Sequence, residues 1–467
     1  MNRIRRLAVA SSAAHAAIAV HRFGLGESSF DVAQPDPQAW LIAQIGPADE
    51  PRGTGLMSTT QALAHIKAEA EKRRLARNPP PGMTAEQVLA GHYREVTIAD
   101  ARSRLLTAAT TRRPFAERLQ LFWTNHFTVS LAKGSVRGLV GAFEREAIRP
   151  NIAGSFEQLL VAATTHPAML RYLDNHLSAG PHSRAVARAA RRAQEMQEGP
   201  RLTGLNENLA REVLELHTLG VHGGYTQADV TAFAAVLTGW RVEPLINGAA
   251  LPFDPAWHEP GRKTVLGKSY AEGPDALREV LHELAMHPST ARFLATKLAR
   301  HFVADEPPLE LVDRLAAIYL RNGGQLAPLY RELVASPLAW QPTPVKLKTP
   351  EEFVVSTARL LVLDERMFER SDAAAALALG QRIHAAPSPA GWPDRADDWL
   401  GPEAVWKRVE WATRIADRAG RNVDARTLAG ASLGPLLSET SQRQIERAAD
   451  GPQALALLLM APEFQRR

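Results

Sequence analysis

Gly204-Leu-Asn-Glu-Asn-Leu-Ala-Arg-Glu-Val-Leu-Glu-Leu-His-Thr-Leu-Gly220 is the stretch that most clearly sets the architecture, because its spacing is that of a helix with two distinct faces. Asn206 is suited to cap the first turn and Gly220 to end the last one. An apolar stripe for the core consists of Leu209, Val213 and Leu216. A polar stripe on another face consists of Asn208, Arg211, Glu212 and Glu215, and His217 falls off that stripe.

The same helical periodicity recurs through most of the chain. Apolar residues at three- and four-residue spacing predict helices over 58–76, 84–110, 114–125, 155–164, 205–219, 226–238, 274–286, 289–303, 309–321, 349–364 and 402–419. Strand signals are confined to the region 240–270, where Arg241-Val-Glu and Lys263-Thr-Val-Leu-Gly are predicted to pair. The sequence therefore predicts a mainly α fold, a multi-helical globular assembly with one small β-hairpin near 240–270.

The composition is that of an ordinary globular protein and excludes several classes. Of 467 residues, 45% are hydrophobic and 22% are charged, which provides apolar material for a sizeable core. The absence of cysteine excludes disulfides, thiolate metal sites and cysteine nucleophiles. Nucleic-acid binding is disfavoured, because basic and aromatic residues are not interleaved. No apolar run approaches the roughly 20 residues that span a bilayer, so no membrane span is expected.

The domain organisation expected from the sequence is simple. Residues 16–467 are predicted to form a single helical domain, preceded by a disordered N-terminus at residues 1–15. The first residues have the basic start of an export signal, but His15 interrupts a short apolar stretch, so a cytoplasmic and a periplasmic location both stay open. The Arg- and Ala-rich residues 181–200 are predicted to be a flexible insertion beside the central helix.

The polar stripe of the central helix has two interpretations. In the first, Glu207, Arg211 and Glu215 form i,i+4 ion pairs on a solvated surface, each worth about 0.3 kcal/mol. In the second, the stripe belongs to a partly buried site with perturbed pKa values, in which Glu212 and Glu215 are acid, base or ligands. The catalytic set predicted by the second interpretation also includes His126, at the end of an aromatic-rich helix, and Arg211 as an anion clamp.

Further polar residues extend this candidate site. Carboxylate and imidazole groups suit zinc, iron, copper or manganese, so a divalent metal is a candidate cofactor. The predicted metal ligands are His126, Glu212, His217 and His258. Substrate contacts are predicted for Asn175, Asn206, Asn208, Trp240 and Lys263. The His-Glu-x-x-His, EF-hand, Walker and Gly-x-Ser-x-Gly motifs do not occur in the sequence.

Ordered phrases along the chain carry a resemblance to a known family. They are His21-Arg-Phe-Gly-Leu-Gly26, Phe122-Trp-Thr-Asn-His-Phe127, Tyr172-Leu-Asp-Asn175, Gly204-Leu-Asn-Glu-Asn-Leu-Ala-Arg-Glu212, Glu215-Leu-His-Thr-Leu-Gly220, Gly224-Tyr-Thr-Gln227, Leu237-Thr-Gly-Trp240 and Lys263-Thr-Val-Leu-Gly267. Together they resemble the bacterial domain of unknown function 1800 family, over nearly the whole chain. The resemblance implies no established reaction. Convergence on one cleft is the simplest explanation of distant polar phrases, so we expect those between residues 122 and 267 to meet.

Two functions from different classes follow from these residues. The first is an enzyme with a carboxylate- and histidine-lined cleft, assisted by a metal, that acts on a cell-envelope polymer. The second is a non-catalytic helical scaffold or binding module that presents a groove to a partner protein or a glycan. In the second case the polar residues are expected to satisfy one another in a structural network, and loss of one buried partner would cost about 1–3 kcal/mol of stability.

Overall fold

Helices dominate the computed structural model, which describes residues 12–77, 82, 92–196, 204–242, 245–246, 249–250, 253–363 and 374–467. The mainly helical class is therefore confirmed. The α-helices of the described residues are Ser12–Ile18, Pro37–Ile42, Thr59–Arg77, His92–Thr110, Pro114–His126, Val140–Phe143, Phe156–Thr165, Pro167–Tyr172, Arg184–Met196, Asn208–Glu212, Gln227–Leu237, Asp275–Met286, Pro288–Phe302, Leu309–Arg321, Leu326–Ala335, Pro350–Leu360, Ala374–Ala378, Pro402–Ala419, Ala425–Ser432, Glu439–Glu446, Gly451–Met460 and Pro462–Gln465.

Shorter helical segments connect or extend these α-helices. The π-helical segments are Ala19–Phe23, Glu144–Ile148 and Val213–Thr218. The 3₁₀ segments are Phe30–Ala33, Gly134–Val136, Arg149–Asn151, Asn175–Leu177, Pro337–Ala339, Ala396–Trp399 and Gly434–Leu436. π-helical turns are rare in proteins, and those that do occur are often at functional sites. The π segments of the described residues are therefore candidate functional regions.

The predicted helices lie where the apolar periodicity placed them. The prediction over 274–286 corresponds to Asp275–Met286, and the prediction over 289–303 corresponds to Pro288–Phe302. Of the helix predicted over 84–110, residues 92–110 are helical and residues 84–91 lie outside the described residues. Periodicity alone therefore located these elements to within a residue or two at most ends.

The central helix departs from ideal α geometry. It is α-helical only over Asn208–Glu212 and continues as a π-helix over Val213–Thr218. The wider π turn shifts the phase of the residues that follow, so Leu216, predicted to face the core, is only partly buried. His217, which a regular helix would carry off the polar stripe, is buried to 1% exposure.

The β-hairpin expected near 240–270 is present, but its pairing is local. Lys263–Val265 pairs with Lys268–Tyr270 across the two residues Leu266 and Gly267, both of which have positive φ. Positive φ at both central residues is typical of tight hairpin turns, and it favours the adjacent strand over a distant one. Residue 241 is not in a strand, and residues 243–244 lie outside the described residues. A second short ladder pairs residues 245–246 with residues 249–250.

Two hydrophobic clusters form the core. The larger one includes Phe115, Leu119 and Trp123 of the helix Pro114–His126. The smaller one includes residues of the helix Pro350–Leu360 and the C-terminal helices up to Phe464. Buried charged residues lie at the seam between the two clusters, and this seam contains the site described below.

The predicted N-terminal segment and the predicted insertion at residues 181–200 are each described in part by the structure. Residues 1–11 of the predicted disordered N-terminus lie outside the described residues, whereas Ser12–Ile18 is helical. Within the predicted insertion, Arg184–Met196 is a helix with no buried residue, and residues 197–200 lie outside the described residues. The flexibility of this insertion and the single-domain assignment stay predictions. No helix among the described residues has the length and apolar character needed to cross a bilayer.

Candidate functional site

The helix Pro114–His126 carries the aromatic-rich phrase into the core. Trp123 is buried, and its Nε1 donates a 2.6 Å hydrogen bond to the hydroxyl of Tyr330. His126 ends the helix, and its Nε2 lies 3.0 Å from the carbonyl oxygen of His217. Because a carbonyl oxygen only accepts, Nε2 carries the proton and Nδ1 holds a lone pair. Two of the distant phrases therefore meet through their histidines.

His126 and His217 form a buried pair of neutral imidazoles. Their ring centroids are 6.1 Å apart, and each residue is 1% exposed. Burial is the main cause that lowers both pKa values, with the nearby ammonium of Lys297 adding to it, and the pKa of His217 falls to about 3. In the described part of the chain, Nδ1 of His126 and both ring nitrogens of His217 have no hydrogen-bond partner. Buried polar atoms without a partner are rare in native proteins, so these nitrogens are candidates for contact with a ligand.

The polar stripe of the central helix joins the next helix in a surface network. Arg211 Nη2 lies 3.2 Å from Glu207 and donates to Gln227 at 2.8 Å. The hydroxyl of Thr231 donates to Glu207 at 2.6 Å. The side chains of Arg211 and Glu207 are 41% and 31% exposed. The ion-pair interpretation therefore describes this pair, although Arg211 contacts Gln227 instead of Glu215.

Glu212 and Glu215 lie beside that network. Glu215 accepts a 3.0 Å hydrogen bond from the hydroxyl of Tyr225. Burial, and then the charge of Glu215, raises the pKa of Glu212, which has no hydrogen-bond or ion-pair partner among the described residues. Asn206 accepts from the backbone N–H of Asn208 at 2.9 Å, so its side chain supports the local turn. The N-cap of the helix is Glu207, which makes no side-chain cap bond, so the cap predicted at Asn206 was placed one residue too early.

A third group of predicted residues surrounds the hairpin. Asn175 is buried, and its Nδ2 donates to two main-chain carbonyls, one of them that of Trp240, at 3.0 Å. Nδ1 of His258 lies 2.7 Å from a main-chain carbonyl oxygen, and Nε2 lies 3.1 Å from Nζ of Lys263. Since Nδ1 faces a carbonyl, it carries the proton, and Nε2 accepts from the ammonium. These bonds satisfy His258 and Lys263, whereas Oδ1 of Asn175 and Nε1 of Trp240 are buried without a partner among the described residues.

The predicted site residues therefore lie in three groups. They are His126 with His217; Asn206, Asn208, Arg211, Glu212 and Glu215; and Asn175, Trp240, His258 and Lys263. Within the described ranges, no hydrogen bond or ion pair links one group directly to another. Several of the distant phrases meet in pairs: His126 reaches His217, Asn175 reaches the carbonyl oxygen of Trp240, and Arg211 reaches Gln227. Their convergence on one cleft stays a prediction.

The predicted metal ligands do not form a cluster in the described residues. Among the residues that the structure describes, no three His, Asp or Glu side chains come together in a way that could hold a metal ion. The set of His126, Glu212, His217 and His258 stays a prediction, and the function proposed below does not depend on it.

A charged cavity of about 270 Å³ lies at the seam between the two core clusters. It is lined by the end of the helix Pro114–His126, the end of Pro288–Phe302, the start of Pro350–Leu360 and residues between 381 and 398. The lining runs from residues that are buried, such as Arg118, to residues that are exposed, such as Arg395, so the cavity reaches solvent. Concave sites between packed elements, with a few converging polar groups, are the usual places for small ligands.

One wall of the cavity is built from buried ion pairs. Arg104 Nε lies 2.5 Å from Glu351 Oε1, and Arg118 Nη1 lies 2.6 Å from Glu352 Oε1. Arg467 adds a second guanidinium at 3.0 Å from Glu352. Burial by itself would raise the pKa of Glu352, but the two guanidinium groups outweigh it and hold that pKa low. The two guanidinium groups of this wall that line the cavity, those of Arg104 and Arg118, are therefore each paired with a carboxylate.

The opposite wall is the last turn of the helix Pro288–Phe302. The helix is capped by His287, whose Nδ1 accepts from the backbone N–H of Ser289 at 3.1 Å, with proline at its first position. Its buried face includes Leu294, Leu298 and Phe302. Lys297 and His301 are separated by four residues, which places both on one side of the helix, toward the cavity.

Lys297 has an unusual environment for a lysine. No described residue gives its ammonium a hydrogen bond or an ion pair, and Nζ lies 5.5 Å from the ring centre of Phe293. Burial lowers the pKa of Lys297 to about 8, with Arg300 adding to the effect and Asp394 opposing it. A lysine with a pKa lowered in this way gains and loses a proton near neutral pH, as catalytic lysines do.

His301 and Asp394 form a dyad at the same cavity. Nδ1 of His301 lies 3.3 Å from Oδ2 of Asp394, so Nδ1 carries the proton and Nε2 holds the lone pair. Nε2 is buried and has no partner within the described ranges. Burial lowers the pKa of His301 although Asp394 opposes it. Burial opposes ionisation of Asp394, but His301, Lys346 and Arg467 outweigh it and lower the pKa of Asp394 to about 2.

A clamp on the loop holds Asp394 in place. The side chain of Asn125 donates to the carbonyl oxygen of Trp392 at 2.9 Å and accepts from its N–H at 2.8 Å. Gly391 has a φ of +89°, and a Cβ there would lie 2.5 Å from the carbonyl oxygen of Asn125. Only glycine permits this approach and this conformation. The segment Phe122–Phe127 therefore has two roles: it carries His126, and through Asn125 it positions the loop that holds Asp394.

The sequence interpretation missed the dyad and Lys297. A signal existed in Lys297-Leu-Ala-Arg300-His301, where basic side chains and an imidazole occupy the last turn of a helix with a strong apolar stripe. That pattern also describes ordinary surface residues near a helix C-terminus, where cations are favoured. No local signal indicated that residue 394 would face residue 301.

Fold and site together define a mainly helical protein with a charged cavity at the seam of its core. The chain belongs to the family described as protein of unknown function (DUF1800), whose model matches residues 18–466. No curated protein and no solved structure matches the chain. The family resemblance expected from the ordered phrases is confirmed.

Proposed function

We propose that the chain is an enzyme whose acid–base centre is the group of Lys297, His301 and Asp394 in the charged cavity. The observation that carries the proposal is the environment of His301: its Nδ1 lies 3.3 Å from the carboxylate of Asp394, and its buried Nε2 has no partner among the described residues. An imidazole held in one tautomer by a carboxylate is the arrangement of a general base.

Each member of the group has a distinct role in this proposal. His301 takes a proton from the reacting group through Nε2. Asp394 is a positioning residue that fixes the tautomer and stabilises the imidazolium when it forms. Lys297 supplies a positive charge, or a proton, at the developing negative charge, for which its pKa of about 8 is suited.

The substrate proposed from the sequence was a cell-envelope polymer. A cavity of about 270 Å³ lies at the lower end of the range of small-molecule sites, which is roughly 300–1,000 Å³. In this proposal the polymer enters the cavity with a terminal unit or a side branch only. A metal is not needed for the steps assigned to His301 and Lys297.

Turnover assays on matched variants test the proposal. The purified protein is incubated with three panels, namely carboxylic esters, phosphate esters and oligosaccharide fragments of cell-envelope polymers, and products are identified by mass spectrometry. We expect His301→Gln to lower the rate at least about 100-fold, the usual range for loss of a general base. The control is His282→Gln, since that side chain is 53% exposed, lies outside the cavity lining and has its Nδ1 at 2.8 Å from a carboxylate oxygen of Glu157. Equal rates for both variants would refute the role of His301.

A non-catalytic scaffold or binding module for a partner protein or glycan is the second candidate. It is favoured by the network of Glu207, Arg211 and Gln227, because those side chains satisfy one another on the surface. A protein that turns over no compound in the three panels, yet binds oligosaccharides with an affinity reduced by Arg211→Ala, would support this alternative against the enzyme.

A further inference from the structure

Two cations of the cavity, Lys297 and Arg300, have no carboxylate partner in the part of the chain that the structure describes. Lys297 has neither a hydrogen bond nor an ion pair within the described residues. Arg300, three residues later on the same helix, donates through Nε to the carbonyl oxygen of Asp305 at 3.0 Å, and its two terminal nitrogens have no partner in the described ranges. Residues three apart on a helix are neighbours, so the two charges lie close together.

The other cations of the cavity are already neutralised. Arg104 pairs with Glu351 and Arg118 pairs with Glu352 in buried contacts. Arg395, at the mouth, pairs with the exposed Glu306. The excess positive charge of the cavity lining therefore lies at Lys297 and Arg300. Two cations without carboxylate partners in a partly desolvated site favour the binding of an anion.

The cavity also provides lone pairs that need donors. Nδ1 of His126 and Nε2 of His301 hold lone pairs, because the opposite nitrogen of each ring faces an acceptor. Both atoms are buried without a partner in the described part of the chain. An anion alone offers acceptors only, whereas a hydroxyl group beside it can donate to an imidazole nitrogen.

We propose that the cavity binds a small hydroxylated oxyanion, with its phosphate or carboxylate group between Lys297 and Arg300 and a hydroxyl group donating to His126 or His301. This rests on the proposed function in that it names the substrate class of the same cavity. Phosphate and carboxylate share the chemistry that the two cations recognise, and the experiment below separates them.

Calorimetric titration of the full chain tests the ligand class with four probes. They are glycerol 3-phosphate, propyl phosphate, glycerate and propionate, so each hydroxylated anion has a counterpart of the same size and ionisation without the carbon hydroxyls. We expect saturable binding of one hydroxylated probe, at least about tenfold tighter than its counterpart, since a lost hydrogen bond to a buried acceptor has about this effect. The tighter of glycerol 3-phosphate and glycerate identifies the anionic group.

Variants of the two cations locate the binding. Lys297→Met and Arg300→Gln should each weaken the tighter probe at least about tenfold, as expected for a charge-assisted contact. Arg395→Gln is the matched control, because this mouth residue is exposed and already paired, and it should change the affinity less than about twofold. No saturable binding of any probe, equal affinity for hydroxylated and plain anions, or an equal loss in Arg395→Gln would each overturn the proposal.

Failure of this inference is distinguishable from failure of the enzyme proposal. Binding that depends on Lys297 and Arg300, with no turnover in any panel, leaves the ligand class standing and removes the enzyme. Turnover that depends on His301 but is unchanged in Arg300→Gln leaves the enzyme standing and removes the oxyanion.

Discussion

Replacement of Lys297 by methionine should make the protein more stable at neutral pH. Methionine keeps the apolar length of the side chain and removes an ammonium that has no ion-pair partner among the described residues. The lowering of the pKa of Lys297 from 10.5 to about 8 corresponds to about 3 kcal/mol, at about 1.4 kcal/mol per pH unit. Because the residue is partly exposed, we expect solvent screening to reduce the gain to about 1–3 kcal/mol.

The gain should depend on pH with a defined sign. Below pH 8 the folded and the unfolded chain both hold the lysine proton, so the destabilisation is complete. Between pH 8 and 10.5 the unfolded chain holds a proton that the folded chain has released, and the stability contributed by this group rises with pH. The advantage of Lys297→Met should therefore shrink toward zero at about pH 10.

Urea unfolding followed by tryptophan fluorescence at pH 7 and pH 10 measures this effect. The control is Lys407→Met, because Lys407 is 37% exposed and pairs with Glu403 one helical turn away, at 2.6 Å. It should change the free energy of unfolding by less than about 0.5 kcal/mol at both pH values. The reasoning predicts that the Lys297 ammonium, which has no ion-pair partner among the described residues, destabilises the fold at pH 7. It is refuted if Lys297→Met lowers the free energy of unfolding at pH 7, or changes it equally at both pH values.

Three further predictions concern the surroundings of the site. Glu117→Ala leaves the buried Arg149, now bonded at 2.6 and 3.0 Å, without its main partner, and should lower the free energy of unfolding by about 3–5 kcal/mol in urea titrations. Gly220→Ala and Gly224→Ala both force a side chain into positive φ, at about 1–2 kcal/mol, but Gly220→Ala should lower the melting temperature further, because only its Cβ would meet an aromatic ring, at 2.9 Å. Asp394 stabilises the folded state by up to about 2 kcal/mol above its ordinary pKa of 3.8, and this is lost as the pH falls through about 2. Asp394→Asn should therefore be less stable than the wild type at pH 5 and nearly equal to it at pH 2, as measured by urea unfolding.

Much of the secondary structure was predictable, because helix formation depends on neighbours in sequence. The apolar stripe of Asp275–Met286 and the proline that opens Pro288–Phe302 are readable without any tertiary information. The same holds for the pair of Glu207 and Arg211, whose four-residue spacing brings them together on any helix. The strand pairing was less predictable, since Lys263–Val265 had two candidate partners and turn geometry decided for the nearer one.

The candidate site was only partly predictable. His126 and His217 were selected as individual residues, but their contact depends on how two helices pack and on the π turn that buries His217. The carboxylates Glu212 and Glu215 were selected for their density on one helix. The structure bonds Glu215 to Tyr225 and gives Glu212 no hydrogen-bond or ion-pair partner among the described residues, and neither carboxylate is bonded to either histidine. Composition on one helix therefore located a signature of the family, but not the whole set of polar groups around the cavity.

The sequence by itself determined the helical class, the positions of 11 of the 22 α-helices among the described residues, the family and the absence of thiol chemistry. Only the tertiary structure decided that Lys297 has no ion-pair partner among the described residues, that His301 faces Asp394 and that a cavity joins them. The physical reason is the distance along the chain over which each kind of interaction acts. Periodicity and capping act between residues a few positions apart, whereas burial, charge pairing and pKa depend on neighbours brought from distant parts of the chain by packing.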